Sequence, residues 1–233
     1  MKNNVQRLIY PLMVMGIICV LTNSCKKDDK DDTTTPTPTP TGNTVSDIDG
    51  NVYHTVTIGT QVWMVENLKT TKYRDGSSIP NVSNSTWSTL TTGAYRDYNN
   101  TPSISNTYGR LYNWYAITDS RNIAPTGWHV PTYAEINTLV TYLGGIGVAG
   151  GKLKASSSNT PAWDGTNSSG FTALPAGYTI TSFNGQGSKA YFWTTTETNT
   201  TQGKYFGLGT GYASTFYLDD VKTGGFSVRC VKD

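Results

Sequence analysis

The chain has 233 residues, with 18 Lys and Arg against 16 Asp and Glu, a formal charge of +2. That balance leaves no electrostatic footprint for nucleic acid or for an anionic membrane face. Fifteen Tyr, six Trp and 24 Gly, in a background rich in Thr, Ser and Asn, suit strands, turns and adaptable contact surfaces.

Residues 1–24 read as a signal segment. Lys2 and Arg7 precede an apolar run over residues 8–21, which has the length of a signal-peptide core and is short for a membrane span. Leu21-Thr-Asn-Ser24-Cys25 resembles a lipobox, so Cys25 is the expected lipidation site, and the run is cleaved there or anchors briefly. Lys26-Lys27-Asp28-Asp29 resembles the short signal that sends lipoproteins of Bacteroidetes type to the outer face of the outer membrane. Residues 25–43 then carry charge followed by alternating Thr and Pro. No apolar side chain there repays the ordering entropy, and a polyproline-like stalk of about 3 Å per residue is expected. Asp32-Thr33-Thr34 is similar to an O-glycosylation sequon.

Residues 44–233 make one domain, with thirteen Lys and Arg against twelve Asp and Glu. Cys19 and Cys25 precede it, which leaves Cys230 alone and excludes a disulfide inside it. Asp49-Gly50 is a tight-turn signal leading into a strand over Val52–Ile58. The Asp47-x-Asp49-Gly50 spacing lacks the Gly and Glu that an EF-hand loop requires further on, so it reads as a turn. Gly59-Thr60 turns into a second strand over residues 61–68, anchored by Trp63. Residues 73–106 hold few aliphatic side chains and read as a long surface insertion with Trp87 and one strand over 94–98. Leu111, Trp114 and Tyr115 predict a short helix within 109–117.

The strongest local signal follows. Thr132 and Glu135 form a capping box. Ile136, Leu139, Val140 and Leu143 then share one helical face, and Gly144-Gly145 supplies the left-handed stop. The sheet is expected to be built around this buried stripe. Residues 144–170 read as a Gly-rich loop excursion. Its polar cluster of Asn159, Trp163, Asp164 and Asn167 is the first candidate for a binding face, because aromatic rings stack on sugars while amides and carboxylates bind hydroxyls. Alternatively, Trp163 folds back over the loop's own core. The insertion around Trp87 and the turn over 182–188 are the next faces to search.

Five strings carry a family resemblance: IGTQVWMVENL from Ile58, YGRLYNWYAI from Tyr108, GWHVPTYAEINTL from Gly127, GFTALPAGY from Gly170 and AYFWTTTE from Ala190. In this order they resemble the Fibrobacter succinogenes major paralogous domain. That family looks related to the C-type-lectin-like fold shared with formylglycine-generating enzymes, whose helix start and closing Gly-Phe-Arg strand are similar to residues 130–136 and 225–231 here. The resemblance implies an α+β, C-type-lectin-like mixed domain, a twisted antiparallel sheet with one major and one short helix. It brings no mechanism. Formylglycine chemistry needs paired thiolates, and Cys230 is alone. The Glu-Pro-Asn, Gln-Pro-Asp and Trp-Asn-Asp strings of calcium-dependent lectins do not occur.

Only His54 and His129 are available as imidazoles, and no nucleophile elbow, phosphate loop or zinc spacing occurs. His129 reads as structural. No catalytic residue, metal or cofactor is expected. The expected function is a non-catalytic, surface-exposed lipoprotein binding module for glycan or protein, lipid-anchored in the outer membrane. The alternatives are a structural subunit of a cell-surface assembly or an enzyme of unknown chemistry.

Overall fold

The computed structural model describes residues 41–233 apart from Asn84. The expected signal segment, Cys25 and the stalk as far as residue 40 lie outside the described residues. Strand β1 (Thr41–Ser46) straddles the expected start of the domain at residue 44 and pairs antiparallel with β2 (Val52–Ile58). Strand β2 turns Tyr53, Val56 and Ile58 inward and Val52 and His54 outward. A two-residue hairpin through Gly59 (φ +62°) joins it to β3 (Gln61–Met64). A side chain at Gly59 would meet both a backbone conformation foreign to L-residues and the Tyr142 ring at 2.9 Å.

The second strand was expected to reach residue 68 and stops at Met64. Beyond it the ladder is replaced: the Glu66 carboxylate accepts from His54 N at 2.8 Å, and Leu68 N donates to Val228 O at 2.8 Å. The expected surface insertion is corrected as well. Between residues 73 and 106, Tyr73, Ile79, Trp87, Ala94, Tyr95 and Tyr98 are all buried. A 3-10 turn (Ser85–Thr89), strand β4 (Tyr95–Arg96) and helix α1 (Pro102–Tyr108) lie within it. Sparse aromatic anchors seat an irregular backbone that shows neither strand nor helix periodicity. Helix α1 buries only Ser105, so no apolar stripe announces it.

The expected helix over 109–117 divides into β5 (Leu111–Tyr112), paired with β4, and a single turn α2 (Trp114–Ile117). The Asn113 side chain causes the break, because its Oδ1 accepts from both Ala116 N and Ala94 N at 3.0 Å. Strand β6 (Trp128–His129) leads to α3 (Tyr133–Tyr142), whose capping box is complete: Thr132 Oγ1 accepts from Glu135 N at 3.3 Å and Glu135 Oε2 from Thr132 N at 2.7 Å. Gly145 N closes the far end on Val140 O at 2.9 Å, with Gly144 and Gly145 both at positive φ. A short helix α4 (Ala149–Leu153) interrupts the excursion that was read as loop.

The remaining strands are β7 (Ala176–Thr179), β8 (Phe183–Gln186), β9 (Lys189–Glu197), β10 (Gln202–Gly209), β11 (Phe216–Val221) and β12 (Val231–Lys232). Two five-stranded sheets result, ordered β1-β2-β3-β12-β6 and β11-β10-β9-β7-β8, antiparallel except where β7 meets β9. The architecture is α+β, mostly sheet with a few short helices.

The stripe of α3 is buried as expected, but it covers one of two cores. Ile136, Leu139, Val140 and Leu143 pack with Val56, Trp63, Phe171, Phe192, Phe206 and Leu208. A second, more aromatic cluster gathers Tyr53, Tyr73, Tyr112, Trp114, Trp193, Tyr205 and Phe226. Alternation along β9 and β10 serves both: Phe192 and Phe206 point into the first cluster, Trp193 and Tyr205 into the second. These two central strands are buried on both faces, which is why residues 190–193 read as an unbroken apolar run.

Candidate functional site

The four residues singled out in the excursion spend their polar groups mainly on other residues of the protein. Lys154 is 1% exposed, and its ammonium must be met. Asp164 Oδ1 lies 2.7 Å from Lys154 Nζ, while Gly209 O and Tyr212 O accept from that nitrogen at 3.0 and 2.8 Å. Asp164 Oδ2 also accepts from Gly211 N at 2.6 Å. Burial opposes ionisation of this carboxyl, and the Lys154 and Gly211 bonds outweigh it, so its pKa lies below the ordinary range.

Trp163 covers the same ammonium at 5.3 Å and donates its indole N–H to Thr210 Oγ1 at 2.8 Å. At 6% exposure, within the cluster under α3, its ring is not open to stack on a ligand. The ring therefore offers no exposed aromatic platform, and it packs in a core shared with α3, β9 and β10, larger than the loop's own. Asn167, at φ +51°, uses its amide to fasten Thr172 at 2.9 and 3.0 Å.

Asn159 keeps a second role. Its Oδ1 accepts from Ser156 N and Ser156 Oγ at 2.7 and 2.8 Å, which fixes the turn. The residue also lines a cavity of about 340 Å³ together with Thr160, Thr172, Glu66, Asn67 and Thr107, over apolar Val65 and Leu174. Five separate stretches of chain, Arg229 among them, converge on this cavity, and its volume is within the range of small-ligand pockets. Trp163, Asp164 and Asn167 do not line it.

Behind the cavity stands Arg229, 1% exposed and bonded on every side. Its Nε and Nη2 donate to Asn67 Oδ1 at 3.0 and 2.7 Å, and its Nη1 donates to Met64 O and Phe171 O at 3.1 and 2.6 Å. Burial pulls its pKa down to about 9, which leaves it charged at neutral pH. Glu66 pairs with His54 at 2.7 Å. Sequence reasoning missed Glu66, Asn67 and Arg229 as site residues. The available signal was a Glu-Asn pair interrupting an apolar strand and one Arg inside the apolar run 226–231.

His129 is hydrogen-bonded on both nitrogens, Nε2 to Glu135 Oε1 and Nδ1 to Asp233 Oδ1, each at 2.7 Å. Burial alone would lower its pKa, and the two carboxylates outweigh that and raise it. Cys230 is fully buried, and burial pushes its thiol up to about 12, which makes it a poor nucleophile. Among the described residues no three His, Cys, Asp or Glu side chains gather as a metal cage.

Comparison with known proteins places this geometry in a family. A model of the Fibrobacter succinogenes major domain matches residues 56–232. The chain belongs to this family. Its match begins inside β2 and ends in β12, so the second sheet, the excursion and the cavity beside Asn159 lie within the Fibrobacter succinogenes major domain, while β1 precedes it. No curated protein and no solved structure matches the chain.

Proposed function

We propose that the Fibrobacter succinogenes major domain of this chain is a non-catalytic binding module for glycan, with the cavity beside Asn159 as its site. The observation that carries the reading is the lining itself. Threonine hydroxyls from residues 107 and 160, the Asn159 amide and the Glu66 carboxylate meet over Val65 and Leu174. Hydroxyl-rich ligands are recognised by such a mixture of donors, acceptors and apolar floor. The side chains stand on a scaffold fixed by Arg229, so little ordering is required on binding. A C-type-lectin-like assignment of the fold and an acylated Cys25 holding the domain at the cell surface belong to the same proposal.

Thr107→Val and Thr160→Val each remove a lining hydroxyl while keeping side-chain volume. On a glycan array the wild-type chain should give discrete hits. Each variant should bind those glycans about tenfold more weakly, the cost of one lost hydrogen bond, with an unchanged melting temperature. A silent array together with native co-purification of one partner protein would favour a structural subunit of a surface assembly.

A further inference from the structure

A second pocket, sharing no lining residue with the first, opens at β4. Its floor is Arg96 and Trp87, its rim Ser83, Ser85, Ser88, Ile180 and Thr181, and its volume about 230 Å³. Arg96 is 5% exposed and Trp87 1%. The guanidinium is sandwiched between the Trp87 ring at 4.8 Å and the Phe183 ring at 4.7 Å. Its Nη1 makes only a long contact, donating to Thr179 Oγ1 at 3.5 Å. Arg96 Nε and Trp87 Nε1 are both buried with no hydrogen-bond partner, and among the described residues no carboxylate pairs with Arg96.

A buried cation and a buried indole N–H left unmet in one pocket are costly, and folded proteins avoid them unless something else supplies the acceptors. The two rings occupy the faces of the guanidinium and contribute cation–π attraction, which leaves its in-plane N–H edge as the direction still open. A planar carboxylate matches that edge better than a tetrahedral anion, because guanidinium and carboxylate can lie in one plane and share parallel hydrogen bonds. The rim is hydroxylic, with three serines and a threonine, and it carries no further positive charge. Such a rim suits a ligand whose remainder is neutral and rich in hydroxyls. The volume fits one ring and little more.

We propose that this pocket binds a carboxylate borne on a hydroxylated ring, the chemistry of a uronic acid or other acidic sugar. One carboxylate oxygen would take the Arg96 Nε–H and the Trp87 indole N–H, and the rim serines would face the ring hydroxyls. Arg96 is then a recognition residue, and its unpaired state without ligand is the reason the pocket selects for charge.

The test is a titration of the ¹⁵N-labelled full chain in detergent, following the Trp87 indole N–H and the Arg96 Nε–H signals. Sodium glucuronate should shift both signals saturably, and glucose should move neither. Sulfate and N-acetylglutamate should bind at least about tenfold more weakly than glucuronate. Arg96→Met, which replaces the unpaired charge with an apolar chain, should abolish the glucuronate response at Trp87. The proposal is overturned if glucuronate leaves both signals in place, if sulfate or N-acetylglutamate binds as tightly, or if Arg96→Met responds as the wild type does. Should that variant fail to fold, the four wild-type titrations decide alone. A silent glycan array at the cavity beside Asn159 leaves this result untouched, since the two pockets share no residue.

Discussion

Two buried arginines divide the molecule into a closed side and an open side. Arg229, packed on Phe171 at 4.4 Å in the cluster under α3, has its donors met by Asn67, Met64 and Phe171. Arg96, packed between Trp87 and Phe183 at nearly the same distances, leaves its Nε without a partner. Burial and aromatic stacking are alike in the two places, so neither decides the role. What differs is satisfaction: the first guanidinium ties β3, Phe171 and the run before β12 into one body, and the second keeps an Nε without a partner among the described residues.

The largest expected effect separates the two. Arg229→Met leaves Asn67 Oδ1, Met64 O and Phe171 O without their donor, at about 1 to 3 kcal/mol for each buried acceptor. Arg96→Met removes a charge that no carboxylate among the described residues balances, and should cost less than about 1 kcal/mol or raise stability. Urea unfolding of both variants measures this, and equal losses would erase the distinction between the two sides.

A smaller effect on the closed side comes from the cap of α3. Thr132→Ala should lose about 1 kcal/mol on the same titration. A loss near zero would mean that Glu135 holds the helix start without its partner.

The smallest effect is in pH. His129 has a folded pKa above 6.5 despite its burial, because Asp233 and Glu135 accept from it. Its contribution is therefore complete below pH 6.5 and is lost as pH rises through the folded value. Glu135 has a folded pKa below 4.5, since the Thr132 and His129 bonds outweigh its burial, so its contribution is complete above 4.5 and is lost as pH falls. Stability from this cluster should be greatest between about pH 4.5 and 6.5. In His129→Gln the decline above pH 6.5 should vanish, and a decline of unchanged size would assign it to another group.

The closed side was the more legible in sequence, for a physical reason. The cap, stripe and stop of α3 are written within fourteen consecutive residues, Thr132 to Gly145, and each acts on near neighbours. The β2–β3 hairpin and the Trp63 anchor are equally local. By contrast, the 3-10 turn and the stretch after β4 are seated by single aromatic residues whose partners lie far along the chain: Trp87 lies 2.9 Å from where a Cβ on Gly225 would stand, and Tyr98 packs at a tilt on Phe183 at 5.1 Å. No window of sequence carries that information.

The excursion shows the limit from the other direction. Asn159, Trp163, Asp164 and Asn167 have the composition of a binding face, and three of them are occupied in holding Lys154, Thr210 and Thr172. Composition reports which chemistry is present, while partner geometry decides whether it faces a ligand or the protein itself. Asn159 alone does both, and the cavity it lines needs Glu66 and Asn67 from a strand end about a hundred residues earlier.

The position of β12 sets a constraint on how the domain comes into being. Val231 pairs with Trp63 on one side and His129 on the other, and Arg229 reaches Met64 across a separation of 165 residues. The second ladder partner of β3 is therefore made long after β3 itself, roughly ten to thirty seconds later at ordinary rates of synthesis. During that interval β3 is paired with β2 on one edge while its other edge, which β12 fills in the finished molecule, stays open. Such distant closure predicts slow folding and a nascent chain that depends on being kept from aggregation until residues 229–232 arrive.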